Sequence, residues 1–462
     1  MKKVSIILHS LRSHELTGLV IIGILLRLAL MPYFSDPYDL STYCSSLILF
    51  ANGYNPYAIY ASLYPPFIYF ILFPLFNLAH WIGLSPGYNY VPEAANTGTV
   101  TGMVSANQVN PSFLVLWKLP HLSFDLLTGL LIYRFVKELT DNPKMPKYSF
   151  VIWFFNPFTL AISYFHGAFD VIVAFFILLG TFLIYNRKYF SAGLSFGLGT
   201  LTKLSPIYVG VPLAVMILVK GVLSSPRTNN LKADALDFSK FAAGLVTPLL
   251  LFASVLIEYF QLMFFGVAPE SSVGGLNQWF IAVDPRLSWQ PAESAANILQ
   301  KILLLYPVII LVICLLLCRF LRWNYGQSNK NILFAAALFT CLTYLFLPVV
   351  VQPQYLLWIL PLLVVLSTIR SKFLLPLGML SIAGLAFYLS IQGPYAVLYP
   401  LAIHTPLYTA EQVSSNILYY MNRPGVIAPF LRQDLLLLFG GTGFLGQLIT
   451  IYYAVKSIRR GA

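Results

Sequence analysis

Residues 153–185 read WFFNPFTLAISYFHGAFDVIVAFFILLGTFLIY. From Val171 to Tyr185 there is no charged side chain, so a helix here has no polar face to offer water. The run approaches the roughly 20 apolar residues that cross a bilayer. The same texture continues on both sides. Over 462 residues the chain is 58% hydrophobic, 16% aromatic and 10% charged, with a mean hydropathy of +0.77. Soluble domains carry about 25% charged residues, and disordered chains are charge-rich and poor in aromatics. Both classes are excluded, and the pattern predicts an all-α polytopic membrane protein. Apolar runs place about a dozen spans near 16–34, 113–136, 149–166, 168–186, 189–202, 206–221, 241–262, 298–319, 331–350, 355–369, 373–390 and 434–455.

The charge pattern orients these spans. The formal net charge is +12, and in a membrane protein such an excess belongs first to cytoplasmic loops. If 64–84 lies on the outer face as a helix or re-entrant segment, 21 of the 28 Lys and Arg fall in cytoplasmic segments. The remaining seven are Arg27, Lys118, Lys203, Arg286, Lys301, Arg423 and Arg432. Both termini are then expected in the cytoplasm, with long outer segments at 35–112, 263–297 and 391–433. The first span is expected to be an uncleaved anchor. The spans at 189–221 are short and read as two spans or one broken unit. Cys44, Cys314, Cys318 and Cys341 imply neither a disulfide framework nor a zinc site. The chain reads as one membrane unit, with 1–220 as its catalytic module and 221–462 as a variable helical portion packed on it.

Ordered loops on a helical scaffold tend to carry function. In the first outer segment, Asp36 and Asp39 follow the first span in FSDPYDLSTYCSSLILFANGYNPY. Asp-Pro marks a turn, and the stretch after it reads as an interfacial helix. Two carboxylates beside an apolar surface suit a general base, a metal site or solvated turn positions. His166 and Asp170 flank Gly167 between two apolar runs, where they face a cavity or form a polar turn. Lys203, in AGLSFGLGTLTKLSP, is a lone cation in apolar surroundings. It needs an acidic partner or a ligand phosphate. Gln354 and Tyr355 mark an outer boundary in QPQYLLW, with Trp358 one turn deeper. His404, Arg423, Arg432 and Arg286 could reach an anionic ligand. Lys118 and Asp125 are seven apart on one helix face and are expected to interact through His121 or water, in a structural role. Gly193 and Gly197 fit close helix packing. Gly441, Gly443 and Gly446 spell a dinucleotide fingerprint without the strand it requires, so that site is rejected.

Taken in order, the acidic first loop, Gly53-Tyr54-Asn55-Pro56-Tyr57, SFDLLTGLLIYRF, WFFNPFTLAISYFHGAFD, AG-x-x-x-G with TKLSP, and QYLLW form a recognisable set. It resembles the glycosyltransferase-C superfamily. Within it, the set is most similar to the group typified by the first mannosyltransferase of glycosylphosphatidylinositol assembly and its prokaryotic relatives. The resemblance covers about 30–215 and 350–365. It implies a helical bundle with interfacial helices in the first outer loop. It also implies transfer of a sugar, mannose first, from a polyprenyl- or dolichyl-phosphate donor to a lipid- or glycan-linked hydroxyl on the extracytoplasmic face. Asp39 carries over as catalytic base and Asp36 as its partner, in an Asp-x-Asp-type motif one residue wider than usual. Lys203 matches the lysine near the donor phosphate, and Asp170 ends the small-residue turn. His166 stands where relatives often carry a basic residue. Gln354 and Tyr355 match a Q-Y-x-x-W motif.

His404 and Arg423, in the last outer segment and outside the resemblance, join the substrate-binding candidates as groups that could help Lys203 stabilise the leaving phosphate. Direct displacement with one base inverts the anomeric centre. No cofactor is required, although two acids are compatible with a divalent cation, and no nucleic acid is involved. The setting is the cell membrane, or that of the endoplasmic reticulum in a eukaryote. The rival reading is a transporter or lipid-linked-saccharide flippase, which would place ionisable groups near the bilayer midplane.

Overall fold

A computed structural model describes residues 14–57, 64–84, 110–223, 231–261, 330–346, 353–391 and 428–460, together with the isolated positions 312 and 316. Every regular element among the described residues is helical. The elements are α1 His14–Leu30, α2 Pro37–Ala51, α3 Pro66–Trp81, α4 Pro111–Leu139, α5 Met145–Phe154, α6 Pro157–Leu160, a π-helical turn Ala161–His166, α7 Asp170–Tyr185, α8 Tyr189–Thr202, α9 Ser205–Leu223, α10 Leu231–Leu251, α11 Ala253–Gln261, α12 Asn331–Phe346, a 3-10 helix Pro353–Trp358, α13 Leu360–Ile369, α14 Leu374–Ile391 and α15 Ala428–Arg460. Among the described residues, three helical stretches are long and apolar enough to cross a membrane: Pro111–Leu139, Ser371–Leu389 and Leu438–Arg459. The number becomes five when two bent pairs each count as one span.

Both bent pairs have a local cause or place. The expected span 149–166 is two helices meeting at 40°. Asn156 caps the second, its Oδ1 accepting from the Phe158 amide at 2.9 Å, and Pro157 opens it. A proline in its first turn suits a new helix but cannot continue an old one. Asn110 and Pro111 start α4 in the same way. The expected span 241–262 bends by 79° between α10 and α11. Segment 64–84 contains the helix α3, in keeping with the helical half of its expectation.

Two antiparallel hairpins place the polar residues. α7 and α8 fold back on each other about the turn 186–188. Phe196 packs where Gly180 has no side chain, and Ser195 Oγ donates to the Phe176 carbonyl at 2.9 Å. α8 and α9 fold back about Lys203-Leu204, with Phe196 against Gly210. The expected short spans are therefore a helical hairpin, and Asp170 at the start of α7 meets Lys203 at the end of α8. α8 also runs parallel to α10 at backbone contact. A Cβ on Gly193 would lie 2.0 Å from the Phe241 carbonyl oxygen, and one on Gly244 would lie 2.0 Å from that of Phe190. The expected close packing of Gly193 and Gly197 is thus present. Arg134 lies over the Phe182 ring, and Arg187 and Lys188 follow α7, at the hairpin end remote from Asp170.

Between α1, α4, α5 and the π-turn lies a buried ion pair that the seven-residue spacing of Lys118 and Asp125 does not predict. Asp125 does not pair with Lys118. Its Oδ2 accepts from Arg27 Nε at 2.8 Å and from the Tyr164 hydroxyl at 3.0 Å, with both charged side chains fully buried. Arg27 also donates to the carbonyls of Gly23 and Phe154 and stacks over the Phe154 ring. Lys118, also buried, donates to the carbonyls of Met31, Phe34 and Tyr164. Its ammonium therefore ties the end of α1 and the following loop to the π-turn.

Candidate functional site

The approach to α2 is built by its first carboxylate. Asp36 occupies the N-cap, and its Oδ1 accepts from the Asp39 amide at 3.0 Å while its carbonyl accepts from Leu40 at 3.1 Å. Pro37 opens the helix, and Asp39 lies in its first turn, where the helix dipole favours negative charge. The three-residue spacing of Asp36 and Asp39 is thus a capping geometry as well as a chemical pair. The Asp36 amide in turn donates to the His166 carbonyl at 2.9 Å, which docks α2 on the π-turn.

That turn ends at Gly167, which has φ +86°, a left-handed conformation that favours glycine. His121 Nε2 lies 3.0 Å from the Gly167 carbonyl, and the His121 ring stacks on Phe169. The π-turn buries His166 and aims its imidazole at α2. Nε2 lies 2.7 Å from Asp39 Oδ2, and Nδ1 lies 3.7 Å from Asp36 Oδ2. Ligand atoms of Asp36, Asp39 and His166 all fall within 4.8 Å of one another. Two carboxylates and an imidazole are a donor set that a divalent cation accepts.

The second cluster forms at the α8–α9 turn. Lys203 Nζ lies 3.0 Å from Asp170 Oδ1, which also accepts from Trp358 Nε1 at 2.6 Å. The ammonium stands 4.0 Å above the Tyr355 ring, which is stacked on Trp358 at 4.6 Å. Burial disfavours the Lys203 ammonium, but Asp170 above all, with Tyr355 and Asp39, outweighs it and holds the Lys203 pKa above its ordinary value. Phe169 lies between the clusters in sequence and packs against Tyr43, with ring centroids 4.4 Å apart. One end of the bundle therefore holds a carboxylate–imidazole centre and a carboxylate–ammonium centre, with His166 and Asp170 on either side of the Gly167 turn.

Of the sequence candidates, Asp36, Asp39, His166, Asp170, Lys203 and Tyr355 fall in these two centres. Gln354 is buried, and its Oε1 has no hydrogen-bond partner among the described residues. His404, Arg423 and Arg286 lie outside the described residues, as does Gln352, and nothing is described of the Arg432 side chain. The sequence marks Trp358 only as an aromatic one turn below the boundary, and the structure adds its bond to Asp170. The Trp four positions after Gln354 was the available signal. No local pattern points Arg27 to its partner, because 98 residues separate it from Asp125.

No protein-family model matches the chain. A stretch of 105 residues is 30% identical to GPI mannosyltransferase 1 of Saccharomyces cerevisiae. It covers 23% of this chain and 26% of that protein, so the chain spans about a quarter of the length of the curated relative it matches. Over that stretch the chain is similar to a mannosyltransferase.

Proposed function

We propose that this chain is an integral membrane glycosyltransferase that moves a sugar, mannose first, from a polyprenyl- or dolichyl-phosphate donor to an acceptor hydroxyl. The observation that carries the reading is the union of Asp39–His166 and Asp170–Lys203 at one end of an apolar helical bundle. The partial likeness to a GPI mannosyltransferase agrees with it. In the proposed step the acceptor oxygen attacks the anomeric carbon and its proton passes to the Asp39 carboxylate. The bond from that carbon to the phosphate oxygen breaks, and the lipid phosphate leaves with an added negative charge. Lys203 stabilises that charge. Asp170 engages the ammonium in one hydrogen bond, and an ammonium has three protons to donate. Attack opposite the leaving group inverts the centre. Trp358 and Asp170 hold Lys203 in place, and His166 orients Asp39.

The remaining parts of the reading follow the charge pattern. The end bearing Arg134, Arg187 and Lys188 is the cytoplasmic one, so the site faces outward. Both termini are cytoplasmic, and about twelve spans form a glycosyltransferase-C-like bundle with 1–220 as its catalytic module. The acceptor is lipid- or glycan-linked. Transport or lipid flipping is the second reading, in which the buried Arg27–Asp125 pair would be the intramembrane charge.

The direct test is Asp39→Asn in liposomes supplied with radiolabelled polyprenyl-phosphate mannose. Transfer should fall by about 100-fold or more, the scale of a lost general base. Wild-type rates in the variant would remove Asp39 from the mechanism.

A further inference from the structure

Tyr388 lies near the end of α14, far in sequence from every other residue of the carboxylate–imidazole centre. It is fully buried, and its ring stands edge-on to His166, 5.7 Å between centroids and 75° between planes. His166 in turn touches both carboxylates, with Nε2 2.7 Å from Asp39 Oδ2 and Nδ1 3.7 Å from Asp36 Oδ2. The Tyr388 hydroxyl has no hydrogen-bond partner among the described residues, and neither has His166 Nδ1. Leaving a buried hydroxyl unpaired is costly, and here it belongs to a ring packed on the imidazole that joins the two carboxylates.

We propose that Tyr388 completes a binding site for a neutral carbohydrate hydroxyl, donating to the oxygen whose proton faces Asp39. The chemistry of the lining selects that class. An ionised carboxylate only accepts hydrogen bonds, whereas a phenol hydroxyl can donate one. A sugar hydroxyl answers both, with a proton for the carboxylate and a lone pair for Tyr388. A phosphate has only lone pairs to offer and is repelled by Asp36 and Asp39. An ammonium has no lone pair for Tyr388. The anion is thereby directed to Lys203 and the polyol to Tyr388, which divides the site into two poles. This inference rests on the transfer reading and names the side on which the acceptor binds.

The test uses the full chain in nanodiscs and Tyr388→Phe, which removes one oxygen and keeps the ring. Saturation-transfer NMR with methyl α-mannoside, methyl α-glucoside and methyl N-acetylglucosaminide measures sugar binding. Polyprenyl phosphate binding is the control. At least one glycoside should bind the wild type and bind the variant about tenfold more weakly, the scale of one hydrogen bond, with polyprenyl phosphate unaffected. Monodeoxy derivatives of that glycoside should include one that binds both proteins equally. Equal binding of every glycoside to both proteins, or to neither, overturns the proposal. If the sugars discriminate as expected but no donor transfers mannose, the transfer reading fails while the binding site stands.

Discussion

Lys203 is held by three different kinds of contact, and each makes its own demand on a substitution. Asp170 supplies charge, Tyr355 supplies a π face, and the turn between α8 and α9 fixes the backbone. Because the folded pKa lies above that of free lysine, near 10.4, the ion pair contributes its full stabilisation below that value. The contribution disappears only as pH rises through the folded pKa. Use of the donor should therefore show no loss assignable to Lys203 between about pH 6 and pH 9. Lys203→Ala should raise the KM for polyprenyl-phosphate mannose by about 10- to 100-fold, the range for a lost charge-assisted contact. The KM for the acceptor should change little. Steady-state kinetics in liposomes at fixed lipid composition check both. An unchanged donor KM would leave Lys203 as a structural partner of Asp170.

Among the elements, α8 and α10 show what glycine does when backbones touch. At Gly193 and Gly244 the neighbouring atoms are carbonyl oxygens of the facing helix, which cannot rotate aside. Gly193→Ala should therefore force the two helices apart and cost about 1–3 kcal/mol, as overpacking does. Gly378→Ala on α14, where a Cβ meets nothing within 4 Å, is the matched control. The melting temperature of purified protein in detergent should fall for the first and hold for the second. The four-residue spacing of Gly193 and Gly197 marks α8 for close packing, but nothing in it names α10 as the partner. Patterns confined to one helix were legible in general, including the Asp-Pro start of α2 and the apolar runs. The break at Asn156-Pro157 carries the same start signal, but the apolar run continues through it, so hydropathy alone predicts one span. Contacts such as Trp358 with Asp170, or Tyr388 beside His166, have no such local trace. They arise only when α14 and the 3-10 helix reach a turn roughly 200 residues earlier in the chain.

For the whole molecule, the buried Arg27–Asp125 pair separates the enzyme from the transporter. A transport site needs a charge that changes partners during the cycle. Here Arg27 is committed to Asp125, to Tyr164 and to the carbonyls of Gly23 and Phe154, which lock α1 to the bend between α5 and α6. Asp125→Ala removes one partner and leaves a cation in an apolar interior, at a cost of about 3–5 kcal/mol. The single variant should express poorly or melt early. Replacing both groups with apolar residues removes the unpaired charge, and such exchanges are often close to neutral. Arg27→Met with Asp125→Leu should therefore recover the melting temperature lost by Asp125→Ala. If the pair is only a clamp beneath the site, mannosyl transfer returns with the fold, because Asp39 and Lys203 are untouched. If the pair is the coupling site of a transporter, the double variant folds and does not move substrate. Melting in detergent and mannose transfer in liposomes, measured on the same two proteins, distinguish these outcomes. A stable double variant without transfer would overturn the scaffold role of the pair.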